Sequence, residues 1–110
     1  MNECIFCKII DGSADANIVY SDSEMIAFTD ISPKAKVHIL LVPRAHIFSL
    51  NSAEDRADLL GSLMSRVVAI AKQAEIAESG YRVVVNTGED SGQIVHHLHL
   101  HILGGEKLMK

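Results

Sequence analysis

The amino-acid sequence predicts an α+β fold, with five strands in a mainly antiparallel sheet beside one long and one short helix. Three observations predict it: short apolar runs separated by turn residues, one longer run with helical spacing, and a strictly alternating run at His97–Leu103. The short runs are joined by hairpin-length connections, which favour antiparallel pairing. With 110 residues and a hydrophobic fraction of 48%, the chain is long enough for one core, so we predict a single domain over residues 1–110.

The first half of the chain predicts a short helix and three strands. A short apolar run near the N-terminus is stopped by Asp11-Gly12-Ser13, which limits it to one or two helical turns. A turn at Asp22-Ser23 separates two strand-like runs and predicts a hairpin, and Pro43 ends the third run. The predicted bounds are Cys4–Ile10 for the helix and Ile18–Tyr20, Met25–Phe28 and Val37–Val42 for the strands.

The second half predicts the long helix and the last two strands. Ser52 is a candidate N-cap with Asp55 in a capping-box position, apolar residues then recur at helical spacing to about residue 78, and Gly80 suits the position after the helix. The last strands are predicted at Tyr81–Val85 and Val95–Leu103, joined by the polar loop Asn86–Gly92. One long helix covers little of a five-stranded sheet, so an isologous dimer is expected.

Composition excludes several classes of protein. The formal net charge is −4 and no cluster of lysine and arginine stands out, which disfavours a nucleic-acid-binding surface. No apolar run is long enough to span a membrane, and the N-terminus lacks a basic region followed by an apolar one, so no secretory leader is expected. These features predict a cytoplasmic protein.

The alternating run carries most of the chemical information. On a strand, His97, His99 and His101 project from one face, while His96 falls on the face of the intervening leucines. Three imidazoles on one face fit two chemistries, namely ligation of a metal ion and covalent catalysis at phosphorus. The glycine-bearing loop Asn86–Gly92 could donate backbone N–H groups to phosphate oxygens. The residues alone leave both chemistries open.

The two cysteines, Cys4 and Cys7, form a single C-x2-C pair. In a reducing compartment such a pair is more typical of a metal half-site or a redox pair than of a structural disulfide. A tetrahedral zinc site needs two further ligands, which histidines elsewhere in the chain could provide.

The run His97–Leu103 resembles the signature of the histidine triad family, in which three histidines alternate with apolar residues. The chain is similar to the branch of histidine triad nucleotide-binding proteins, which are homodimeric purine nucleoside phosphoramidases. This resemblance implies one sheet continuous across a homodimer, an AMP-type purine nucleotide as substrate, and hydrolysis that requires no cofactor. Other segments that carry the resemblance are Ile5–Ile10, Phe28–Pro33, Val42–Ile47, Tyr81–Asn86 and Gly92-Gln93.

The resemblance implies a role for each matching residue. His99 would attack the α-phosphorus, and His101 would contact the phosphate and assist proton transfer to the departing amine. His97 would orient the His99 ring, and His46 would support a proton relay. Ile94 departs from the pattern, because many relatives have a serine there whose hydroxyl is lost. The nucleotide-binding residues implied are Asp30, Ile31, Asn86, Gly92, Gln93 and Ile94, together with His99 and His101.

The resemblance also implies a structural zinc site, since some bacterial relatives bind zinc through the cysteine pair and two histidines. The corresponding ligands in this chain are Cys4, Cys7, His46 and His97. The function expected first is hydrolysis of nucleoside 5′-phosphoramidates or aminoacyl-adenylates to AMP through a nucleotidyl-histidine intermediate. Two alternatives stand beside it: a dinucleoside polyphosphate hydrolase, and a non-catalytic nucleotide- or zinc-binding module.

Overall fold

The computed structural model describes residues 4–109, which contain two α-helices and five strands. Two short 3-10 turns lie at Leu50–Ala53 and Glu89–Ser91. No helix within the described residues is long and apolar enough to cross a membrane. The elements are α1 (Ile5–Asp11), β1 (Ile18–Ser21), β2 (Met25–Thr29), β3 (Val37–Pro43), α2 (Ala57–Gln73), β4 (Tyr81–Val84) and β5 (Leu100–Gly104).

The five strands form one antiparallel sheet in the order β1-β2-β3-β5-β4. The predicted α+β class, the five strands and the hairpin between β1 and β2 are therefore confirmed. In the register, His101 of β5 lies opposite Leu40 of β3 on one side and Val84 of β4 on the other. The last part of the alternating run is thus held in the interior of the sheet.

Alternation along the strands gives the sheet two apolar faces. Leu41 and Ile102 face α2, where they pack with its buried residues Leu63 and Ile70. Burying a large apolar side chain of this kind contributes roughly 1.5–3 kcal/mol. The opposite face packs against α1, and its apolar cluster consists of Phe6, Ile9, Ile26, Phe28, Leu40 and Val42.

The long helix is shorter at both ends than the sequence predicts. Ser52, the predicted N-cap, lies in the 3-10 turn, and α2 begins at Ala57 after Arg56, which makes no side-chain capping bond. At the other end the helix stops at Gln73, because Glu75 adopts a left-handed conformation at φ 61° and the chain turns. This turn buries Ile76, whose Cδ1 would lie 3.0 Å from a Cβ on Gly104.

The fifth strand is also shorter than the predicted Val95–Leu103, since its ladder begins at Leu100. The N–H of Leu98 donates to the carbonyl of Ile47 at 2.6 Å, so this residue pairs with a loop rather than with a strand. The carbonyl of Pro43 at the end of β3 faces the His97 ring at 2.8 Å. Leu98 is nevertheless buried in the core beside α2, so the predicted alternation extends beyond the strand.

Candidate active site

The orientation of the His99 ring is fixed by a main-chain group two residues earlier. Its Nδ1 lies 2.7 Å from the carbonyl oxygen of His97, so Nδ1 carries the proton and donates it. The other ring nitrogen, Nε2, is then left with a free lone pair. Phe6 of α1 packs edge-on against the same ring, with centroids 5.0 Å apart. His99 is thereby held as a neutral imidazole whose Nε2 is a potential nucleophile.

The His97 ring is completely buried and has the opposite tautomer. Its Nε2 lies 2.8 Å from the carbonyl oxygen of Pro43 and must donate, which leaves Nδ1 without a proton. Nδ1 faces the Sγ atoms of Cys4 and Cys7, at 3.4 and 3.6 Å. Burial is the main cause that lowers the pKa of His97, and this favours the neutral ring.

The third histidine of the run is joined to a histidine of β3. The main-chain N–H of Lys34 donates to Nδ1 of His38 at 3.0 Å, so the proton of His38 is on Nε2. The N–H at Nε2 of His38 donates to Nδ1 of His101, and these two nitrogens are 2.9 Å apart. The proton of His101 is therefore on its own Nε2, which is buried and has no hydrogen-bond partner among residues 4–109. Substrate could satisfy this donor.

Burial keeps the ring pair neutral in the absence of a ligand. Desolvation lowers the pKa of His38, and it lowers the pKa of His101 to about 4 together with the neighbouring His99 and His38. The carboxylate of Asp30, with Oδ2 3.4 Å from Nε2 of His38, acts in the opposite direction on both rings. Burial also lowers the pKa of His99. The site thus presents an unprotonated nitrogen on His99 beside an N–H on His101.

A cavity of about 400 Å³ lies between α1 and the end of β2, and the rings of His99 and His101 form part of its wall. We call it the apolar cavity, because most of its lining side chains carry no polar group. Its size suits a small ligand, and its polar lining residues are Asp15, Thr29, Asp30, Asn86, Gln93, His99 and His101. The apolar part of the lining includes Ile5, Phe6, Ile9, Phe28, Ile31, Leu40 and Ile94.

The loop between β4 and β5 is held in place by Gln93. Its side-chain oxygen accepts the N–H of Gly88 at 2.9 Å, and its amide donates to the carbonyls of Phe48 and Val95 at 3.1 Å each. Gly88 and Gly92 have φ of 82° and 87°, a left-handed conformation that favours glycine. Gln93 therefore shapes the loop, besides lining the apolar cavity as a predicted nucleotide-binding residue.

Cys4, Cys7, His46 and His97 converge on one point, with their ligand atoms all within 4.8 Å of one another. Sγ of Cys7 lies 3.2 Å from Nδ1 of His46, and Sγ of Cys4 lies 3.4 Å from Nδ1 of His97. In a tetrahedral zinc site the sulfur and nitrogen ligands are roughly 3.6 Å apart, so the arrangement is close to that geometry. The hydrogen bond from His97 to Pro43 also fixes the tautomer that a metal needs. These residues fit a zinc ion.

Comparison with known proteins connects this geometry to a family. The HIT domain, named for the histidine triad, matches residues 11–108. The purine nucleoside phosphoramidase of Escherichia coli strain K12 is 43% identical over 107 residues, which cover 96% of this chain and 90% of that protein. The chain belongs to the HIT domain family.

Solved structures of HIT proteins have the same fold. A histidine triad protein from Clostridium difficile superposes with a TM-score of 0.96 at 40% identity, covering 100% of this chain and 96% of that one. A HIT family hydrolase from Legionella pneumophila superposes with a TM-score of 0.93 at 39% identity, covering 97% and 96% of the two chains. The matched members of the HIT family thus include hydrolases.

All eight predicted nucleotide-binding residues line the apolar cavity of this HIT protein. Asp30, Asn86 and the two histidines form its polar end, whereas Ile31 and Ile94 lie at its mouth with exposed fractions of 97% and 86%. Gly92 and Gln93 complete the predicted set. The structure therefore brings together all the residues predicted to bind nucleotide.

Nδ1 of His101 is contacted by Nε2 of His38 at 2.9 Å and not by His46, whose role in a proton relay stays a prediction. The His46 ring packs against His97, with centroids 4.9 Å apart, and the described residues show no contact between it and His101. Sequence reasoning missed His38, although it is the only polar residue in the predicted strand Val37–Val42. His96 is not on the leucine face, because it lies outside the strand and stacks on the exposed Phe48.

Proposed function

We propose that this HIT protein hydrolyses purine nucleoside 5′-phosphoramidates, and also aminoacyl-adenylates, to the nucleoside monophosphate through a nucleotidyl-His99 intermediate. One observation carries the proposal: the His99 ring, whose Nε2 has a free lone pair, and the His101 ring, whose Nε2 has an unpartnered N–H, have centroids 5.0 Å apart and both line the apolar cavity. A nucleophile and an adjacent proton donor are what covalent catalysis at phosphorus requires.

Binding would place the purine in the apolar cavity and the phosphate at the histidines. Phe6, Ile9 and Phe28 offer flat or apolar surface for the base. Asp30 is proposed to accept hydrogen bonds from the ribose hydroxyls. The N–H of Ser32, which donates to its Oδ1 at 2.8 Å, fixes the orientation of the carboxylate. The negative phosphate would meet the N–H of His101, which has no other partner within residues 4–109.

In the first chemical step, Nε2 of His99 forms a bond to phosphorus as the P–N bond breaks. The amine nitrogen keeps the bonding electron pair and takes a proton from the His38–His101 pair. That pair takes up this proton from solvent when the substrate binds, because the phosphate charge and the Asp30 carboxylate both favour the protonated form. In the second step water attacks phosphorus, the His99–P bond breaks, and the water proton returns to the pair.

We also propose that zinc binds at Cys4, Cys7, His46 and His97. A bound zinc supplies a cross-link between α1 and the two segments that carry these histidines, and it takes no part in the steps at phosphorus. His97 can serve as ligand and positioning residue together, because the ligand is its Nδ1 whereas its main-chain carbonyl holds His99.

We propose a homodimer as well, with the sheet continued across the two chains. β4 is an edge strand, and an edge strand has unpaired N–H and C=O groups that a second copy can pair. Sedimentation of the full chain as a dimer is expected, and a monomer at all concentrations would refute this part.

The decisive experiment is a single-turnover reaction with an adenosine phosphoramidate, quenched and analysed by intact mass. The wild type is expected to accumulate an adenylyl adduct on His99, and His99→Ala is expected to give neither adduct nor turnover while still binding AMP. His96→Ala is the matched control, because that ring is exposed and outside the site. Turnover by His99→Ala would overturn the proposal, and faster hydrolysis of a diadenosine polyphosphate would favour the alternative substrate class.

A further inference from the structure

A second cavity, of about 430 Å³, lies on the other side of His101. We call it the basic cavity. Asp30, Asn86 and His101 line both cavities, so the two meet at the histidine that carries the unpartnered N–H. If the phosphorus of a substrate lies at His99, one of its substituents can extend into the apolar cavity and another into the basic cavity.

Three cationic side chains line the basic cavity, namely Lys34, Arg82 and Lys107. Arg82 is oriented by a hydrogen bond from its Nη1 to the carbonyl of Met109 at 2.7 Å. The two lysine ammonium groups make no hydrogen bond or ion pair within residues 4–109. The cavity thus has two ammonium groups whose hydrogen bonds are available to a ligand.

The two carboxylates in the lining are already occupied by the main chain. Oε2 of Glu106 accepts the N–H of Lys36 at 2.6 Å, and Oδ1 of Asp30 accepts the N–H of Ser32 at 2.8 Å. Oδ2 of Asp30 lies 3.4 Å from Nε2 of His38, and among the described residues neither carboxylate forms an ion pair with the lysines or the arginine of the lining. The charged side chains of the lining, three cationic and two anionic, therefore leave an excess of one positive charge, which favours an anionic group.

We propose that the basic cavity binds the leaving group, and that it selects amines that carry a carboxylate, such as amino acids linked to phosphorus through nitrogen. This inference rests on the proposed function, in which His101 serves the departing amine. The base and ribose occupy the apolar cavity, so the other substituent on phosphorus extends past His101 into the basic cavity. When the P–N bond breaks, the nitrogen keeps the electron pair, takes the proton at His101, and leaves as the free amino acid. Aminoacyl-adenylates carry an ammonium group instead of a free carboxylate and are the poorer substrates.

The test uses two adenosine phosphoramidates of equal size, one made from alanine and the other from alaninamide. They differ in one negative charge, so the ratio of their kcat/KM values isolates recognition of the carboxylate. We expect a ratio of about 10 for the wild type, which corresponds to about 1.4 kcal/mol. The double variant Lys34→Gln, Lys107→Gln is expected to bring the ratio close to one, and added salt is expected to lower it in the wild type.

Lys72→Gln is the matched control, because Lys72 lies in the last turn of α2 and lines neither cavity. It is expected to keep the wild-type ratio. A wild-type ratio near one, or a ratio that the double variant leaves unchanged, would overturn the inference.

The same pair of compounds separates this inference from the proposed function. If neither compound is hydrolysed, the proposed function fails, and their dissociation constants measured by calorimetry still test the cavity. Tighter binding of the alanine compound, lost in the double variant, supports the inference. Equal binding of both compounds overturns it.

Discussion

Nε2 of His38 lies 2.9 Å from Nδ1 of His101, and the main-chain N–H of Lys34 holds His38 from behind. The chain of donors runs in one direction, from the main chain through His38 to His101. Because each ring has one proton when neutral, this chain leaves the proton of His101 on Nε2, which has no hydrogen-bond partner among the described residues. The main-chain N–H of Lys34, acting through the His38 ring, thereby determines the tautomer of His101, the proposed proton donor.

Replacement of His38 tests this relationship. We expect His38→Gln to lower kcat for an adenosine phosphoramidate by about 10–100-fold, because His101 loses the partner that fixes its tautomer. KM for unsubstituted adenosine phosphoramidate, whose leaving group is ammonia, should change less, since His38 does not line the apolar cavity in which the nucleotide is proposed to bind. Nitrogen NMR of the His101 ring should show a mixture of tautomers in the variant. Full activity with an unchanged ring spectrum would contradict the assignment, and His96→Gln serves as the control.

The buried histidine pair predicts an acid-sensitive stability. The pKa of His101 is about 4 in the folded protein and that of His38 is below the ordinary value near 6.5. Between these pH values the unfolded chain binds more protons than the folded one, so the free energy of unfolding should fall as the pH drops from about 6.5 to about 4. Urea unfolding with a chelator present measures this dependence. His101→Gln should make it shallower, and an unchanged slope would contradict the low pKa.

The fold was largely predictable because alternation reports which side chains share a face. Leu98, Leu100 and Ile102 are all in the core, as the period of two requires. The same period could not show where the ladder of β5 begins, because Leu98 and Leu100 are both buried but only Leu100 pairs with β3. Local signals also failed at Ser52, since the capping pattern there is realised as a 3-10 turn.

The site was predictable only where its residues are close in sequence. The contact of His38 with His101 joins residues 63 apart, and it depends on the diagonal between two paired strands. No pattern of neighbouring residues in the sequence shows how β3 and β5 are aligned. The basic cavity was missed for the same reason, because Lys34, Arg82 and Lys107 come from three separate segments.

Removal of zinc should lower stability more than activity. We expect the full chain to bind one zinc ion at the cluster of Cys4, Cys7, His46 and His97, and the double variant Cys4→Ser, Cys7→Ser to bind none. Chelation should lower the melting temperature of the wild type by several degrees and leave that of the double variant unchanged. Elemental analysis and calorimetry measure both effects. Equal zinc content in the two proteins would contradict the assignment.

A charged cluster at the turn between β1 and β2 predicts a separate contribution to stability. Arg66 of α2 donates to Oδ2 of Asp22 at 2.9 Å and to Oε1 of Glu24 at 3.2 Å. Burial raises the pKa of Asp22, but hydrogen bonds from Tyr20, the main chain and Arg66 outweigh it and lower the pKa overall. The stabilisation is therefore present above the unfolded pKa near 3.8 and is lost as the pH falls below it.

We expect Arg66→Gln to lower the free energy of unfolding through the loss of two charge-assisted hydrogen bonds, and to leave kcat unchanged because the cluster lines neither cavity. Arg56→Gln is the matched control, since its ion pair with Asp58 is 3.7 Å long and exposed. Denaturant unfolding at neutral pH compares the two variants. An equal loss of unfolding free energy in the two variants would show that the hydrogen bonds of Arg66 contribute no more to stability than the exposed ion pair of Arg56.

Both ends of the described chain border the cavities. Ile5 and Phe6 line the apolar cavity, and Leu108 and Met109 line the basic one. A tag fused directly to residue 1 or to residue 110 would therefore begin within a few residues of a cavity lining, and a polyhistidine tag at residue 1 would add metal ligands close in sequence to the cysteine pair. Purified material should have its tag cleaved before zinc content or substrate preference is measured, and the choice of terminus for the tag is itself an experimental variable.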